Sequence, residues 1–257
     1  MNSTTPNSGF ATYQVIADEY YDARRHPTCN NFNRLSRIYL SRHVESLAQR
    51  RVLETGAGSS AAAELLSEAG LPLRGLTITD SCGLMLSHSQ KWTAHGAELR
   101  VADAEQLDVE ADSIDVLVSS LGDPYNTSAF WLEVSRVLRR DGLAIFTMPS
   151  FQWAARFRST QREPLDKAEF RLRDGSAVHV RSIIPPLDAQ VEIIERTGLV
   201  VVDFEDLGAG QLDAHSLSPK TQVFGDEPSS LVWGFVARKA TKSVSASLRR
   251  SWRESRP

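Results

Sequence analysis

The sequence predicts an α/β fold built on a seven-stranded, mostly parallel sheet with an antiparallel last strand, and three observations predict it. Short apolar runs alternate with amphipathic segments along most of the chain. The first run, Arg51 to Glu54, passes into Thr55-Gly-Ala-Gly-Ser-Ser60 and then Ala61-Ala-Ala-Glu-Leu-Leu66, the pattern of a buried strand, a glycine turn and a helix. The last two runs are joined by a link with no helical pattern, which implies antiparallel pairing.

Each element follows from local pattern. From Ala11 to Ala48, the positions Val15, Ile16, Tyr20, Leu35, Ile38, Leu40, Val44 and Leu47 predict two helices broken near His26-Pro27-Thr28. Residues 1–48 thus form an N-terminal helical lid before the first strand. Further strands are expected at Leu76 to Thr79, Glu98 to Val101, Ile114 to Ser119 and Leu143 to Thr147. A helix from Ser128 to Leu138 precedes the fifth, its basic end and turn supplied by Arg139-Arg140-Asp141-Gly142.

Phe170 to Val180 alternates in period two around Asp174-Gly175, so a β-hairpin is inserted near 168–182 and is expected to cover a cleft. Leu187 to Thr197 reads as a helix capped by Gly198, followed by strands at Leu199 to Phe204 and Leu231 to Ala237. Residues 49–238 make the main domain. The segment 239–257 has Leu248 and Trp252 as its only large apolar groups and reads as a flexible tail.

Composition narrows the function classes. The chain has 257 residues, 41% hydrophobic and 24% charged, enough for one sizeable core with a small added lobe. A formal charge of -3, from 29 basic and 32 acidic residues, gives no broad basic face for nucleic acid. Cys29 and Cys82 are far apart, which argues against a zinc site or a disulfide framework and fits a reducing cytoplasm. No apolar run approaches the ~20 residues of a membrane span, and Met1-Asn-Ser-Thr-Thr-Pro6 lacks the apolar core of a signal peptide, so a cytoplasmic protein is expected. The sequence leaves oligomeric state open.

The strand–turn–helix junction is the expected ligand site. Gly56 and Gly58 allow a tight turn and close backbone approach, and the helix N–H groups after them face the ligand. Glu54 suits a ligand whose near end carries an ammonium group and repels a pyrophosphate. That favours S-adenosyl-L-methionine over a dinucleotide. The competing reading takes Gly56, Gly58 and Ala61 as a G-x-G-x-x-A dinucleotide turn with Asp80 on a ribose, and the plainest takes the turn as binding nothing.

With these motifs in order, the chain from about Tyr13 to Arg238 resembles the class I S-adenosylmethionine-dependent methyltransferases, whose fold is Rossmann-like. Val52-Leu-Glu-Thr-Gly-Ala-Gly58 is similar to the family's cofactor loop, which implies contacts from Glu54, Gly56, Ala57 and Gly58. Asp80, followed by Ser81 and Met85, stands where the family's acidic residue bonds both ribose hydroxyls, with Met85 beside the adenine. Asp103 and Ala104 resemble the segment that meets the adenine edge, and Arg136 to Phe146 resembles the segment leading into the fifth strand. Ser60 replaces the third glycine of many members, and Arg140-Asp141 replaces a Pro-Gly pair. The resemblance implies a methyl transfer to an O, N or C atom of a small metabolite.

Two loops hold the expected catalytic groups. Ser119 to Asn126 borders donor and acceptor, with Asp123 placed to accept a proton or hold an amine and Tyr125 to face the sulfonium. The same residues also suit a turn opening the next helix. Tyr13 to Tyr21 resembles an element that closes over the cofactor, with Tyr13 and one of the Tyr20–Tyr21 pair facing it. His26, in an irregular polar stretch over the pocket mouth, is a candidate general base. Phe151, Trp153 and Phe157 line the acceptor pocket or pack beneath the hairpin. Asp123-Pro124-Tyr125 is also similar to the D-P-P-Y motif of methyltransferases acting on nucleic-acid or protein amino groups, though one proline is missing. A nicotinamide-dependent oxidoreductase and a non-catalytic cofactor-binding module complete the alternatives.

Overall fold

The computed structural model describes residues 10–161, 166–222 and 230–239. The chain opens with α1 (Phe10–Ile16), α2 (Pro27–Ser41) and α3 (Val44–Leu47). Three helices stand where two were expected, and the break lies before Pro27 rather than around it. Proline occupies the first turn of α2, where its missing N–H costs no intrahelical bond. The stretch after His26, expected to be irregular, is therefore helical.

The central elements follow in alternation: β1 (Val52–Glu54), α4 (Ala61–Glu68), β2 (Leu76–Asp80), α5 (Gly83–Ser87), β3 (Glu98–Val101), β4 (Ile114–Ser119), α6 (Ser128–Val137) and β5 (Leu138–Pro149). Then come α7 (Phe151–Gln161), the strands β6 (Lys167–Arg171) and β7 (Ala177–Arg181), α8 (Leu187–Arg196), β8 (Leu199–Gly208), α9 (Pro219–Gln222) and β9 (Ser230–Lys239). The main sheet has seven strands in the order β3-β2-β1-β4-β5-β9-β8. β1 to β5 run parallel, and β9 pairs antiparallel with both β5 and β8. Every residue of β1 and β4 is buried, as expected for strands covered on both faces. Strand order reverses between β1 and β4, so their carboxyl ends flank the crevice where an open α/β sheet takes its ligand.

Two expectations about the later strands need correction. β5 starts at Leu138, directly after α6, rather than at Leu143; Leu138 pairs with Ile114, and the register shifts before Leu143 meets Val116. Within that irregular stretch Asp141, not Gly142, takes the left-handed conformation, at φ 61°. Gly142 serves close packing, because a Cβ there would lie 2.9 Å from the Arg139 carbonyl oxygen. The link between β8 and β9 is not helix-free either, since it carries short helical turns and α9. Pairing is antiparallel all the same.

The hairpin is the two-stranded β6–β7 sheet, turning at Gly175 with φ +85°. Its tip is tied to the N-terminal segment, where the Arg173 amide donates to Glu19 Oε1 at 3.1 Å. The helical preamble to the sheet, α1 through α3, is anchored elsewhere by the packing of Tyr39 over Gly234 of β9; a Cβ at that glycine would sit 2.5 Å from the ring. Asn31 of α2 bonds the Ser216 carbonyl, the Ser218 amide and the Thr221 hydroxyl of the β8–β9 link. The segment expected to be a tail lies, beyond Lys239, outside the described residues. Among those described, no helix is long and apolar enough to cross a membrane.

Candidate active site

Two adjoining cavities open at the carboxyl edge of the sheet. The first, about 260 Å³, is lined by Gly56, Ala57, Asp80, Ser81 and Met85 from the β1 and β2 ends, and by Tyr13, Tyr20 and Tyr21 from the preamble. The second, about 380 Å³, lies under the hairpin and includes His26, Asp123, Trp153, Phe157 and Phe170 in its wall. Tyr13, Tyr20, Leu121 and Pro124 belong to both.

The glycine turn carries the first cavity. Gly56 and Gly58 adopt φ +57° and +51°, where a side chain is strained, and a Cβ on Gly56 would meet the Tyr125 ring at 2.5 Å. A Cβ on Gly58 would collide with the Tyr21 hydroxyl. Asp80 bridges this loop to the next one: Oδ2 accepts the Gly58 amide at 3.0 Å and Oδ1 the Cys82 amide at 2.9 Å. Burial raises its pKa, and those two amides oppose the rise by stabilising the carboxylate. Each carboxylate oxygen keeps a further lone pair for a ligand in the cavity. The Tyr21 hydroxyl accepts the Ser59 amide at 2.8 Å, pinning the preamble to the turn.

Glu54 is placed differently from the expectation of a direct ligand contact. It is fully buried and absent from the cavity wall. Its carboxylate accepts the Ser60 hydroxyl and, at 3.1 Å, the Ala62 amide, while Ser60 Oγ accepts the Ala63 amide at 3.0 Å. The first-turn donors of α4, expected to face a ligand, are thus partly consumed inside the protein. Burial pushes the Glu54 pKa up to about 7 against those hydrogen bonds. Ser60, in the place of the third glycine, takes a left-handed φ of 66° and offsets that strain by capping α4.

Other expected residues scatter around the cavities. Asp103 is half-buried, accepts the Glu105 amide at 2.9 Å and lies outside both walls, as does buried Ala104. The expected convergence of Glu54, Asp80 and Asp103 on one crevice is therefore realised only by Asp80. Ser119 is buried behind the wall, bonded to the Tyr125 hydroxyl at 2.9 Å; its neighbour Ser120 lines the cavity instead. Tyr125 donates to the Thr55 carbonyl at 2.7 Å, and burial raises its pKa, so its oxygen is structurally engaged rather than poised as a base. Asp123 faces the second cavity and accepts the Ser182 hydroxyl at 2.5 Å.

His26 also faces the second cavity. It is 7% exposed, and burial holds its pKa below the ordinary value against the pull of Glu19 and Asp22. The aromatic side of that cavity is ordered: Trp153 and Phe157 stack at 5.4 Å and 4°, and Phe32 meets Trp153 edge-on at 4.7 Å. Phe151 is half-buried and packs against the main core instead. Residues missed by sequence reading are Asn30, Asn33, Arg34 and Arg37, which α2 presents to the first cavity. Their spacing of three and four is a helical polar stripe and was the available signal.

Comparison with known proteins meets this geometry. Residues 53–146, from β1 through most of β5, match the family model described as a methyltransferase domain. That match, over rather more than a third of the chain, supports a class I S-adenosylmethionine-dependent methyltransferase domain. An S-adenosylmethionine-dependent methyltransferase from Mesorhizobium loti is 16% identical with a TM-score of 0.53, covering 75% of this chain and 92% of that one. A methyltransferase of the same cofactor class from Methanosarcina mazei is also 16% identical, with a TM-score of 0.54, covering 74% and 92%. Geranyl diphosphate C-methyltransferase from Streptomyces coelicolor is 10% identical with a TM-score of 0.56, covering 79% and 78%. At such identities the likeness is one of fold. No curated protein gives a significant match.

The methyltransferase-domain match implies S-adenosyl-L-methionine as the cofactor. The first cavity is chemically suited to it. Asp80 offers a carboxylate to a vicinal diol, and the strained glycine turn leaves its backbone open to close approach. The dinucleotide reading gives way to this assignment.

Proposed function

We propose that this methyltransferase acts on a small metabolite, with the cofactor in the first cavity and the methyl acceptor in the second. The carrying observation is the common wall: Tyr13, Tyr20, Leu121 and Pro124 line both spaces, so occupants of the two would lie side by side. Asp80 would hold the ribose, the Gly56–Gly58 backbone and Ala57 the amino-acid end, and Ser81 and Met85 the nucleoside side. Asp103 and Ala104 would border the base edge beyond the present wall. The cofactor supplies an already activated methyl group on its sulfonium. The protein's share is to fix the acceptor at reacting distance and exclude water.

Glu54 supports the site from behind by holding α4 to β1 through Ser60 and Ala62. Tyr21 acts as a latch on the turn. Asp123 and His26 are the polar groups offered to an acceptor, and Tyr125 shapes the wall beneath the turn. A cavity of about 380 Å³ under a hairpin suits a small molecule better than a duplex or a folded protein. The reading that Asp123-Pro124-Tyr125 grips an amino group loses support, since Tyr125 donates into the protein and Asp123 is held by Ser182. The two separate thiols support a cytoplasmic setting.

Calorimetric titration with S-adenosylhomocysteine tests this reading. Micromolar binding that weakens in Asp80→Asn is expected. Correctly folded protein that binds none of it would overturn the reading.

A further inference from the structure

We propose that the second cavity takes a planar aromatic alcohol and that His26, through Nε2, accepts the hydrogen bond of its hydroxyl. This deepens the reading of that cavity as the acceptor site and rests on it. His26 Nε2 is buried without a hydrogen-bond partner. Of the buried side-chain atoms in that condition among the described residues, it alone belongs to a residue lining either cavity. An unpaired buried polar atom is destabilising, a cost that a ligand hydroxyl removes. Burial favours the neutral imidazole, which leaves one ring nitrogen able to accept.

The walls select the rest of the ligand. Trp153, Phe157 and Phe170 make the wall aromatic, and Phe170 meets the His26 ring at 5.2 Å and stacks on Tyr20 at 5.7 Å. Phe170 thereby joins the imidazole to the wall common to both cavities. A planar ring lying along these faces would carry its hydroxyl within the reach of His26.

Charge argues for a neutral ligand. Arg25, Arg171 and Lys220 stand in the wall against Asp123 and Glu169, so there is no negative excess to hold an ammonium acceptor. The cations are not free for an anion either: Arg25 lies 3.9 Å from Glu19 and 3.7 Å from Asp22, Arg171 pairs with Glu169 at 3.1 Å, and Lys220 lies over the Phe157 ring. The hydrogen bond at His26 is then the polar contact that discriminates among aromatic ligands.

The test uses 2-naphthol, its methyl ether and 2-naphthylmethylammonium, titrated into full-length protein saturated with S-adenosylhomocysteine and followed by calorimetry and tryptophan fluorescence. Naphthol is expected to bind about tenfold more tightly than the ether, the worth of one hydrogen bond to a buried acceptor. His26→Ala should erase that difference by weakening naphthol alone, and His26→Gln, which restores an acceptor, should recover most of it. The His26 side chain makes no capping bond to α2, and circular dichroism together with S-adenosylhomocysteine binding checks that both variants are folded. Equal binding of naphthol and ether, no effect of His26→Ala, or preference for the ammonium would overturn the proposal. Failure of naphthol to bind while S-adenosylhomocysteine binds overturns it and leaves the methyltransferase reading standing. Failure of S-adenosylhomocysteine itself overturns that reading and the proposal together.

Discussion

The Tyr21 hydroxyl lies 2.8 Å from the Ser59 amide and blocks the space where a Cβ on Gly58 would go. Gly58→Ala should therefore both strain the turn and lift Tyr21 from it. S-adenosylhomocysteine affinity is expected to fall by about tenfold or more, corresponding to the ~1–3 kcal/mol of a strained backbone position. Tyr21→Phe should give a smaller loss, mainly as faster dissociation in stopped-flow traces. Unchanged binding in both variants would show that the latch plays no part in holding the cofactor.

Asp80 accepts two backbone amides with its two oxygens. Asp80→Asn must turn an NH₂ toward one of those donors, so it disturbs the loop as well as removing a charge. We expect a loss of about 10- to 100-fold in S-adenosylhomocysteine affinity, the scale of charge-assisted hydrogen bonds. Calorimetry checks the loss, and circular dichroism checks that the sheet survives.

Glu54 gives a pH signature. Its pKa is pushed from 4.5 to about 7 by burial, so between those values the unfolded chain has lost a proton that the folded chain keeps. Stability then falls as pH rises through that window and levels off above about 7, with a total of ~3 kcal/mol from this group. Glu54→Gln should match the parent near pH 4.5 and be progressively more stable by pH 8. Urea midpoints at several pH values measure the difference, and parallel curves for the two proteins would refute the assignment.

Gly234 lies under the Tyr39 ring, whose hydroxyl donates to Asp203 at 3.0 Å. Gly234→Ala forces the ring away from β9 and breaks that bond or bends it. A destabilisation of about 1–3 kcal/mol is expected, as for other overpacked cores. Cofactor affinity should change little, because the contact lies outside both cavity walls.

Much of the sheet was legible because its interior strands are continuous apolar runs. The interior strand Ile114–Ser119 matches the sequence reading residue for residue, and so does Glu98–Val101, an exposed edge strand marked instead by its alternation. The hairpin was legible from Asp174-Gly175 and its flanking alternation. The early start of β5 was hidden by Arg139, Arg140 and Asp141, which are exposed and resemble a helix end followed by a turn. In the site, acidity at position 54 was visible but its direction was not, because a carboxylate at a strand end serves a ligand or a helix terminus equally well. Ser119 and Ser120 differ by one step at the end of a strand, which puts their side chains on different sides and moves the contact from one to the other. The His26 side of the acceptor cavity needed the hairpin in place, and strand patterning does not say over which face a hairpin folds.

Asn31 holds the β8–β9 link with both ends of its side-chain amide. That stitching makes α2 a fixed partition rather than a door, even though it belongs to the stretch before the first strand. Passage in and out is left to the span from α1 to His26, which is fastened by the Tyr21 latch, the His88–Ala17 contact at 3.0 Å and the Glu19–Arg173 tie. Traffic through the enzyme would then be timed by these polar clasps breaking in turn, while the wall behind them stays still.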